Sequence, residues 1–352
     1  MRILMTGGAG FIGQHTARLL AAAGHELVAL DSLNPQVHLD PRAAIAAFPG
    51  EVIDGDVASE ATWEALPEVD AVIHLAAETG TGQSMYERER YESVNVGGTR
   101  HAGCWALRYG VPLVALSSRA VYGEGRTRCP EHGVGFGAPC CARALAEPSQ
   151  ETDEHRPVSV YGRTKSEGEA ALAALGPELV AAVIRPQNVI GPGQALHNPY
   201  TGVLAAFLAF LREGRPLTVY GDGTQTRDVI HVADLARIIA WSLERIAATR
   251  EGFVVNAGTG VRVTLLDLAR WSIEGSPLDS APIEHVDVHR AGDIDHACAD
   301  MSRLAELGGP MPAVVPGDAV VDFIRWSWDR PGAASQAWDS ALDELQERGL
   351  SS

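Results

Sequence analysis

Three residues of this sequence have the types and spacing of an acid–base group. Tyr161 and Lys165 lie four positions apart, which places both side chains on one face of a helix. A nearby ammonium lowers the pKa of a phenol, so the tyrosine could act as a general base near neutral pH. Ser118 follows the apolar run 113–116, and its hydroxyl could hydrogen-bond the same reacting oxygen. Together these residues predict proton exchange with a hydroxyl or carbonyl group.

The composition of the chain draws further attention to Lys165. Lysine and arginine together number 28, and Lys165 is the only lysine among them. A guanidinium is planar, larger and never usefully deprotonated, so it cannot replace a compact ammonium at a tight site. We interpret the single lysine as one that the chemistry of the site requires.

A glycine-rich turn follows the first apolar run and opens a predicted helix. Gly7, Gly10 and Gly13 leave room for backbone N–H groups to reach a pyrophosphate at the helix N-terminus. Asp31 ends the second apolar run, where its carboxylate would bond ribose hydroxyls and repel a 2′-phosphate. The sequence therefore predicts NAD rather than NADP. The other predicted cofactor contacts near these runs are Phe11, Ile12, Ser32, Asp56 and Val57.

The order of strand-like and helical runs predicts the fold class. In the first half they alternate, as in a Rossmann-type, doubly wound parallel sheet of the α/β class. The predicted strands of that half are 2–5, 26–30, 71–75 and 113–116, and its helices are 15–23, 42–47, 60–66, 97–109 and 165–175. Beyond residue 180 we expect a smaller C-terminal α/β part, with strands at 180–184, 216–220 and 253–257 and helices at 201–213 and 231–247.

These patterns divide the chain into functional segments. The predicted segments are a dinucleotide-binding domain at 1–180, a substrate-binding domain at 181–335 with some segments intermixed, and a helical tail at 336–352. Residues 124–158 form a long non-periodic stretch rich in Gly, Pro and Cys. Because structureless stretches of that length are usually lids or binding segments, we predict an irregular lid there.

The cysteines do not indicate a disulfide framework, because the chain has an odd number of them, five. Four side chains that could bind a metal lie in the predicted lid: Cys129, His132, Cys140 and Cys141. Zinc sites usually present paired ligands as C-x₂-C, and two adjacent cysteines rarely both face one ion. A lid without metal is therefore the favoured interpretation, and bound zinc is the alternative.

Charge and hydropathy exclude several kinds of partner. The formal net charge of −17 argues against nucleic acid and anionic membrane surfaces, although a few arginines could still bind a small anion. The predicted strand at 2–5 follows Met1 directly, and this segment does not have the features of a signal peptide. The longest apolar stretch, 202–211, is too short to span a bilayer. We therefore expect a location in the reducing cytoplasm.

Motifs along nearly the whole chain resemble the extended short-chain dehydrogenase/reductase superfamily, specifically its nucleotide-sugar epimerases and dehydratases. These motifs include TGGAGFIG at 6–13, YGRTK at 161–165, RPQNVIGPG at 185–193 and DGTQTRDVIHVAD at 222–234. Runs at 74–85, 117–125 and 194–203 are similar to the dTDP-L-rhamnose 4-epimerase-like branch. The resemblance implies NAD as cofactor, a nucleotide-sugar substrate and a homodimer formed through the helices predicted at 97–109 and 165–175.

The resemblance also implies a role for each residue of the site. Ser118, Tyr161 and Lys165 would be catalytic. The implied cofactor residues are Leu75, Ala76, Ala77, Pro186 and Asn95, the last of which would stabilise the active-site helix. The implied substrate residues are Asn188, Arg227 and Arg290 at the diphosphate, Tyr220 at the base, and Thr79, Gln83, Asn198 and Thr201 at the hexose.

The residues after Ser118 depart from two branches of this superfamily. Dehydratases of this fold place Asp-Glu after the catalytic Ser or Thr, and sugar-acid decarboxylases place a glutamate at the second of these positions. This sequence has Arg119 and Ala120 instead. The resemblance therefore favours an NAD-dependent 4-epimerase that acts on a dTDP-6-deoxyhexose through a 4-keto intermediate. Two alternatives remain: an NAD(P)H-dependent 4-ketoreductase of a dTDP-4-keto-6-deoxyhexose, and a non-catalytic dinucleotide-binding protein.

Overall fold

The strands and helices are those of a computed structural model, which describes residues 1–198, 202–287, 292–332 and 334–350. The strands are β1 (Arg2–Thr6), β2 (Glu26–Asp31), β3 (Glu51–Asp54), β4 (Ala71–His74), β5 (Leu113–Leu116), β6 (Arg126–Cys129), β7 (Gly133–Phe136), β8 (Leu145–Ala146), β9 (Ala181–Pro186), β10 (Asn188–Ile190), β11 (Leu217–Tyr220), β12 (Thr226–Arg227), β13 (Val229–His231), β14 (Phe253–Ala257), β15 (Val263–Thr264) and β16 (Ile283–Val286).

The helices connect these strands and flank them. The α-helices are α1 (Phe11–Ala22), α2 (Pro41–Ala47), α3 (Glu60–Glu64), α4 (Thr81–Ser84), α5 (Arg88–Tyr91), α6 (Thr99–Tyr109), α7 (Val160–Ala173), α8 (Val203–Arg212), α9 (Val232–Thr249), α10 (Leu265–Gly275), α11 (Ser302–Glu306), α12 (Pro316–Ser327) and α13 (Ser335–Glu347). A π-helix, Glu92–Gly98, leads into α6, and a 3₁₀-helix, Arg119–Tyr122, follows β5.

One sheet of parallel strands organises the molecule, in the order β14-β9-β5-β4-β1-β2-β3. β1 pairs with both β2 and β4. From β1 the chain adds β2 and β3 on one side of the sheet, and then β4, β5, β9 and β14 on the other side. The predicted Rossmann-type, doubly wound sheet is thus confirmed. Its switch point lies between β1 and β4, and in such sheets ligands bind beyond the carboxyl ends of the strands at this point.

The sheet is buried on both faces. Ile3 and Met5 of β1 belong to one apolar cluster and Leu4 to another, and none of the three is exposed. This alternation follows from the opposite directions of successive side chains along a strand. A third cluster, which includes Phe207 and Phe323, forms the core of the smaller C-terminal part.

The sheet extends beyond the domain boundary that the sequence predicts at residue 180. β9 pairs with β5, and β14 pairs with β9 to complete one edge of the sheet. Helix α9 packs against α1, so residues 232–249 also belong with the dinucleotide-binding part. Apolar strand patterns show that a segment is a strand but not which sheet it joins, so the sequence could predict that some segments are intermixed but not which ones. The division into domains at residue 180 stays a prediction.

The stretch 124–158 is less irregular than predicted. β6, β7 and β8 form a small antiparallel sheet in the order β7-β6-β8. These strands are short and contain glycine and arginine, so they carry no alternating apolar pattern that a sequence analysis could detect. We refer to residues 124–158 as the excursion.

Other helix boundaries also differ from those predicted. Helix α1 begins at Phe11 rather than at residue 15, and α7 begins at Val160 rather than at residue 165. Tyr161 and Lys165 therefore both lie in the first turns of one helix. Three helices of the C-terminal part, α10, α11 and α12, were not predicted.

The apolar helices are all shorter or more polar than a bilayer crossing requires. Among the described residues, no helix combines the length and the hydropathy of a membrane span.

Candidate active site

The loop after β5 and the start of α7 bring the predicted acid–base residues together. Ser118 caps the 3₁₀-helix, with its hydroxyl accepting a hydrogen bond from the Ala120 amide at 3.1 Å. The same hydroxyl is hydrogen-bonded to the phenol of Tyr161. Ser159 caps α7 through the Gly162 amide, which fixes the start of the helix that carries Tyr161. Ser118 and Tyr161 therefore lie side by side, and the prediction that both bond one reacting oxygen of a ligand stays a prediction.

Lys165 lies one turn after Tyr161 and is buried. Its Nζ donates a hydrogen bond of 2.9 Å to the Leu116 carbonyl at the end of β5. Burial lowers the pKa of Lys165 to about 8, and the carboxylate of Glu169 opposes that effect. The ammonium is thus held by the last residue of a central strand.

The pKa of Tyr161 differs from the expectation based on spacing. In the protein alone, burial raises the pKa of this phenol, and the hydrogen bond from Ser118 and the charge of Arg119 act in the opposite direction. Lys165 is directed to the Leu116 carbonyl, so the cation that acts on the phenol here is Arg119. For Tyr161 to act as a base near neutral pH its pKa has to fall, and a bound ligand that carries positive charge would act in that direction.

Asn95 ties the segment after β4 to the active-site helix, as the resemblance implies. Its amide group donates to the Glu78 carbonyl and to the Thr164 hydroxyl, both at 3.1 Å, and its oxygen accepts from the Glu78 amide at 2.9 Å. The side chain is completely buried. These contacts make it a positioning residue, and its contact with the cofactor stays a prediction.

His74 is part of the same buried framework. Its ring nitrogens lie 2.8 Å from the Thr6 hydroxyl and 3.1 Å from the Thr99 hydroxyl, so it links β1 to α6. Burial, and then the charge of Lys165, lower the pKa of His74 to about 3. The imidazole is neutral at physiological pH and has a structural role.

The turn between β1 and α1 fits the pyrophosphate of a dinucleotide. A Cβ on Gly7 would lie 2.8 Å from the Ala76 nitrogen, and one on Gly13 would lie 2.4 Å from the Gly7 oxygen. Glycine is therefore required where the turn approaches β4 and α1. No side chain in the described part of the chain caps the N-terminus of α1, and its first turn holds no acidic residue. The free N–H groups and the helix dipole favour an anion there.

Asp31 stands at the carboxyl end of β2, beside this turn. Its carboxylate accepts hydrogen bonds from the amides of Ala9 at 3.1 Å and Leu33 at 3.0 Å, and His38 Nε2 lies 3.3 Å away. These partners fix the carboxylate at the position where a ribose would follow a pyrophosphate on α1. The residues present therefore fit NAD.

The other predicted cofactor residues line the same edge of the sheet. Phe11 and Ile12 are partly buried in the first turn of α1, and Gly10 precedes them. The segment after β4 is partly buried; it consists of Leu75, Ala76 and Ala77. Beyond β2 and β3, Ser32 and Asp56 are exposed and Val57 is buried.

Pro186 and Gln187 follow at the end of β9. Pro186 is buried, and Gln187 is 5% exposed. The side-chain oxygen of Gln187 has no hydrogen-bond partner among the described residues. A buried amide oxygen without a partner is costly, which makes Gln187 a candidate for contact with a polar ligand group. The sequence motif at 185–193 contains it, but nothing in its spacing distinguishes it.

The predicted substrate residues are only partly placed. Asn188 is exposed on β10, and Tyr220 is partly buried at the end of β11. Arg227 donates to the carbonyls of Thr226 at 2.9 Å and Ile294 at 2.9 Å. Thr201 and Arg290, the remaining predicted contacts to hexose and diphosphate, lie outside the described residues.

Three other predicted contacts to the hexose differ in their exposure. Thr79 is exposed after β4, whereas Gln83 and Asn198 are each 5% exposed. The amide of Gln83 is held by Gln36 at 2.7 Å and by Glu87 at 3.0 Å. Contact between Gln83 and a sugar would require these hydrogen bonds to be exchanged.

Arg119 also lies in the site. In the sequence it is notable only because it replaces an aspartate that dehydratases of this fold have after the catalytic Ser or Thr. Burial, and then the nearby charge of Arg227, lower the pKa of Arg119 to about 10. A small pocket beside it is also lined by Glu124, Gln187 and His296. The guanidinium of Arg119 at this pocket, with the charge of Arg227 nearby, could bind an anion. The chain distance between Arg119 and Arg227 hides this proximity in the sequence.

Comparison with known proteins identifies relatives of the whole chain. A family model for the NAD-dependent epimerase/dehydratase family matches residues 3–258. A dTDP-L-rhamnose 4-epimerase of Burkholderia thailandensis is 37% identical over 333 residues, covering 87% of this chain and 90% of that protein. A dTDP-glucose 4,6-dehydratase of Streptomyces griseus is 28% identical over 343 residues, covering 94% and 96% of the two chains.

A solved structure shows the same similarity at the level of the fold. It is a UDP-glucose 4-epimerase from Thermus thermophilus in complex with NAD. The two structures align with a TM-score of 0.77 at 27% identity, covering 94% of this chain and 100% of the other.

Proposed function

The chain belongs to the NAD-dependent epimerase/dehydratase family, and we propose that it is a 4-epimerase of a dTDP-6-deoxyhexose similar to dTDP-L-rhamnose. Its cofactor is NAD. The observation that carries the proposal is the hydrogen-bonded pair Ser118 and Tyr161 in a site where Arg119 and Ala120 replace the acid–base pair of a dehydratase. The remaining apparatus can remove and return a proton on a hydroxyl group.

The proposed reaction assigns one proton to one side chain. NAD, when bound, supplies a reversible two-electron acceptor for C4 of the sugar. Tyr161, as the phenolate, takes the proton of the 4-hydroxyl group, and Ser118 orients that oxygen. After the 4-keto sugar has rotated to present its other face, Tyr161 returns the same proton to the oxygen. The cycle is redox-neutral and needs no external reductant.

The basic residues keep the substrate bound during this turn. Arg119 and Arg227 lie close enough for the charge of one to lower the pKa of the other, and a diphosphate would neutralise both. The sugar would rotate about its diphosphate linkage while the phosphates stay fixed. A 4-keto intermediate that is anchored in this way can present its other face without leaving the site.

The choice of a dTDP-6-deoxyhexose rests on the relative that is 37% identical. Three sequence runs, 74–85, 117–125 and 194–203, resemble that branch, and they lie after β4, after β5 and before α8. Loops at the carboxyl ends of the strands set the substrate specificity of such folds.

The test uses purified protein without added cofactor. Mass spectrometry of the denatured protein should detect NAD, and NMR should show conversion of dTDP-L-rhamnose to its C4 epimer. UDP-glucose serves as a comparison substrate and should react more slowly. Turnover only with added NADH or NADPH would overturn the epimerase proposal in favour of the ketoreductase.

Substitution of the proposed base separates an enzyme from a binding protein. Tyr161→Phe should retain NAD and lose at least about 100-fold in kcat, because the general base is removed. The matched control is Tyr109→Phe, at an exposed position of α6, which should keep wild-type activity. Unchanged activity in Tyr161→Phe would exclude this residue as the base.

We also propose a homodimer formed through α6 and α7, in the cytoplasm. The exposed positions of these helices include Cys104, Ala170 and Ala173, whose small side chains allow close approach of a second copy. Light scattering at micromolar concentration should give twice the 37.3 kDa of the chain. A monomer at that concentration would contradict the proposal.

A further inference from the structure

The excursion brings four metal-binding side chains together at one point. Cys129 ends β6, His132 lies in the turn of the β6–β7 hairpin, and Cys140 and Cys141 lie in the loop between β7 and β8. One sulfur or nitrogen atom from each lies within 4.8 Å of those of the other three. This cluster, which we call the Cys₃His cluster, takes no part in the proposed epimerase reaction.

The distances within the Cys₃His cluster match tetrahedral coordination. Cys129 Sγ and Cys140 Sγ lie 3.3 Å and 3.4 Å from His132 Nδ1, and Cys129 Sγ lies 3.5 Å from Cys141 Sγ. Zinc bonds of about 2.3 Å to sulfur and about 2.0 Å to nitrogen separate tetrahedral ligands by roughly 3.5–3.8 Å. The three observed separations differ from those values by only a few tenths of an ångström, and the other pairs lie within 4.8 Å. They are much longer than a disulfide bond of about 2.05 Å.

The backbone explains why both adjacent cysteines face the cluster. In a strand, successive side chains point to opposite faces, which would separate Cys140 from Cys141. Residues 140 and 141 form bends rather than a strand. The sequence expectation that neighbouring cysteines rarely share one site therefore does not hold for this loop.

The small sheet around the Cys₃His cluster needs a further source of stability. β6 and β7 each have four residues and β8 has two. Sheets of this size bury too little apolar surface to be stable alone. A metal bound to these four side chains would connect the end of β6, the hairpin turn and the β7–β8 loop.

We propose that Cys129, His132, Cys140 and Cys141 bind one Zn²⁺ ion as a structural site. Three thiolates and one imidazole form a ligand set that is typical of zinc. The protein supplies all four ligands of a tetrahedron, so no position is left for a substrate or a catalytic water. Binding replaces three thiol protons, which are released to solvent.

The proposed ion would stabilise the excursion, which contacts the C-terminal part of the chain. Arg262 donates to the Ala146 carbonyl of β8 at 2.8 Å. Arg126, at the start of the excursion, pairs with Asp153 near its end, and Ser149 forms an isolated β-bridge with Ala299. Order in the small sheet is thus connected to the C-terminal part through Arg262 and Ala299.

The first test is the metal content of the purified full-length protein. After expression in zinc-supplemented medium and desalting, elemental analysis should find one zinc per chain. Cys140→Ser/Cys141→Ser should contain none, and Cys104→Ser should still contain one. Cys104 is the matched control because it is an exposed cysteine on α6. Wild-type protein without zinc, or a double variant that keeps it, would overturn the proposal.

Two further measurements on wild-type protein apply even if the double variant fails to fold. Replacement by Co²⁺ should give thiolate-to-cobalt charge-transfer bands together with tetrahedral ligand-field bands. Removal of zinc by a chelator should lower the Tm, because binding energy contributes to folding. Mass spectrometry that finds a Cys129–Cys141 disulfide in the protein as purified, before any chelator is added, would overturn the proposal. None of these results depends on epimerase activity.

Discussion

The geometry of Lys165 predicts that arginine cannot replace it. Its Nζ is buried and donates to the Leu116 carbonyl, so a larger planar guanidinium would displace the end of β5. We expect Lys165→Arg to reduce kcat/KM by at least about 100-fold although the charge is kept. Arg163→Lys on the same helix is the control, because Arg163 is partly exposed and pairs with Glu92 and Glu167. Activity of Lys165→Arg within about tenfold of wild type, in a steady-state assay, would contradict this prediction.

His74 makes the stability of the protein depend on pH. The pKa of His74 is about 3 in the folded protein, whereas a histidine in the unfolded chain has a pKa of 6.5. Below pH 6.5 the unfolded chain therefore binds a proton that the folded chain does not. The contribution of His74 is therefore present above pH 6.5 and is lost as the pH falls. Between pH 7.5 and 5.5 the loss is about 1.4 kcal/mol in the free energy of unfolding.

Urea unfolding at the two pH values checks this prediction. The wild type should lose about 1.4 kcal/mol more than His74→Gln over that interval. His25→Gln, at a partly exposed histidine, should behave as the wild type. Equal pH dependence of the wild type and His74→Gln would show that folding does not lower the pKa of His74.

At the scale of residues, the sequence could identify the acid–base group but not its electrostatics. The spacing of Tyr161 and Lys165 and the strand before Ser118 are local features, and the structure brings these residues together as predicted. The charge of Arg119 on Tyr161 and the pairing of Lys165 with Leu116 depend on side-chain directions. Such directions are set by packing, and one sequence does not reveal them.

The β1–α1 turn predicts a specific effect of an added methyl group. Gly7 has a φ of +65° and its Cβ would meet the Ala76 nitrogen at 2.8 Å, whereas Gly24 has a φ of +85° and open space around it. Gly7→Ala should lose the NAD that co-purifies with the wild type, because the turn must move away from β4. Gly24→Ala carries similar backbone strain, about 1 kcal/mol, without the clash and should retain NAD.

Quantification of nucleotide released from each denatured variant is the measurement. Thermal unfolding should show that both variants remain folded. A full complement of NAD in Gly7→Ala would mean that the close approach to β4 is not needed for binding.

At the scale of elements, long apolar runs were predictable and short polar ones were not. β5 and β14 have the predicted bounds, since β5 is an uninterrupted apolar run and β14 is interrupted only by Asn256. Helix α1 starts earlier than predicted because Gly13 lies inside its first turn, where glycine usually indicates a loop. The strands of the excursion are stabilised by their pairing with one another and carry no local pattern.

Asn256 connects distant parts of the whole molecule. From β14, its side chain donates to the Ser149 carbonyl at 2.8 Å and accepts from the Tyr122 hydroxyl at 2.8 Å. It also donates to the Asp300 carbonyl at 3.3 Å, and it is completely buried. Asn256→Ala would leave these groups unpaired and should lower the free energy of unfolding by about 2–5 kcal/mol.

Urea unfolding and limited proteolysis test this role. Asn256→Ala should unfold at lower urea and should be cleaved faster within the excursion, whose base it holds. Asn34→Ala, at a partly exposed position with one local hydrogen bond, should cost less than about 1 kcal/mol. A small effect on stability in Asn256→Ala would show that solvent reaches this region.

At the scale of the molecule, the sequence predicted a doubly wound sheet but not its last strand. The smaller C-terminal part was expected to begin after residue 180, yet β14 returns to the sheet after β10–β13 and α8–α9. Strand pairing over such a distance depends on how the intervening elements pack. That packing is a property of the complete fold.

The position of β14 has a consequence for synthesis of the protein on the ribosome. β9 is complete at Pro186, but its neighbour β14 ends at Ala257, about 70 residues later. At 5–20 residues per second, translation leaves the β9 edge of the nascent sheet unpaired for about 4–14 s. During that interval the edge can pair with another chain, so slow translation or crowded ribosomes should favour aggregation before the fold is complete.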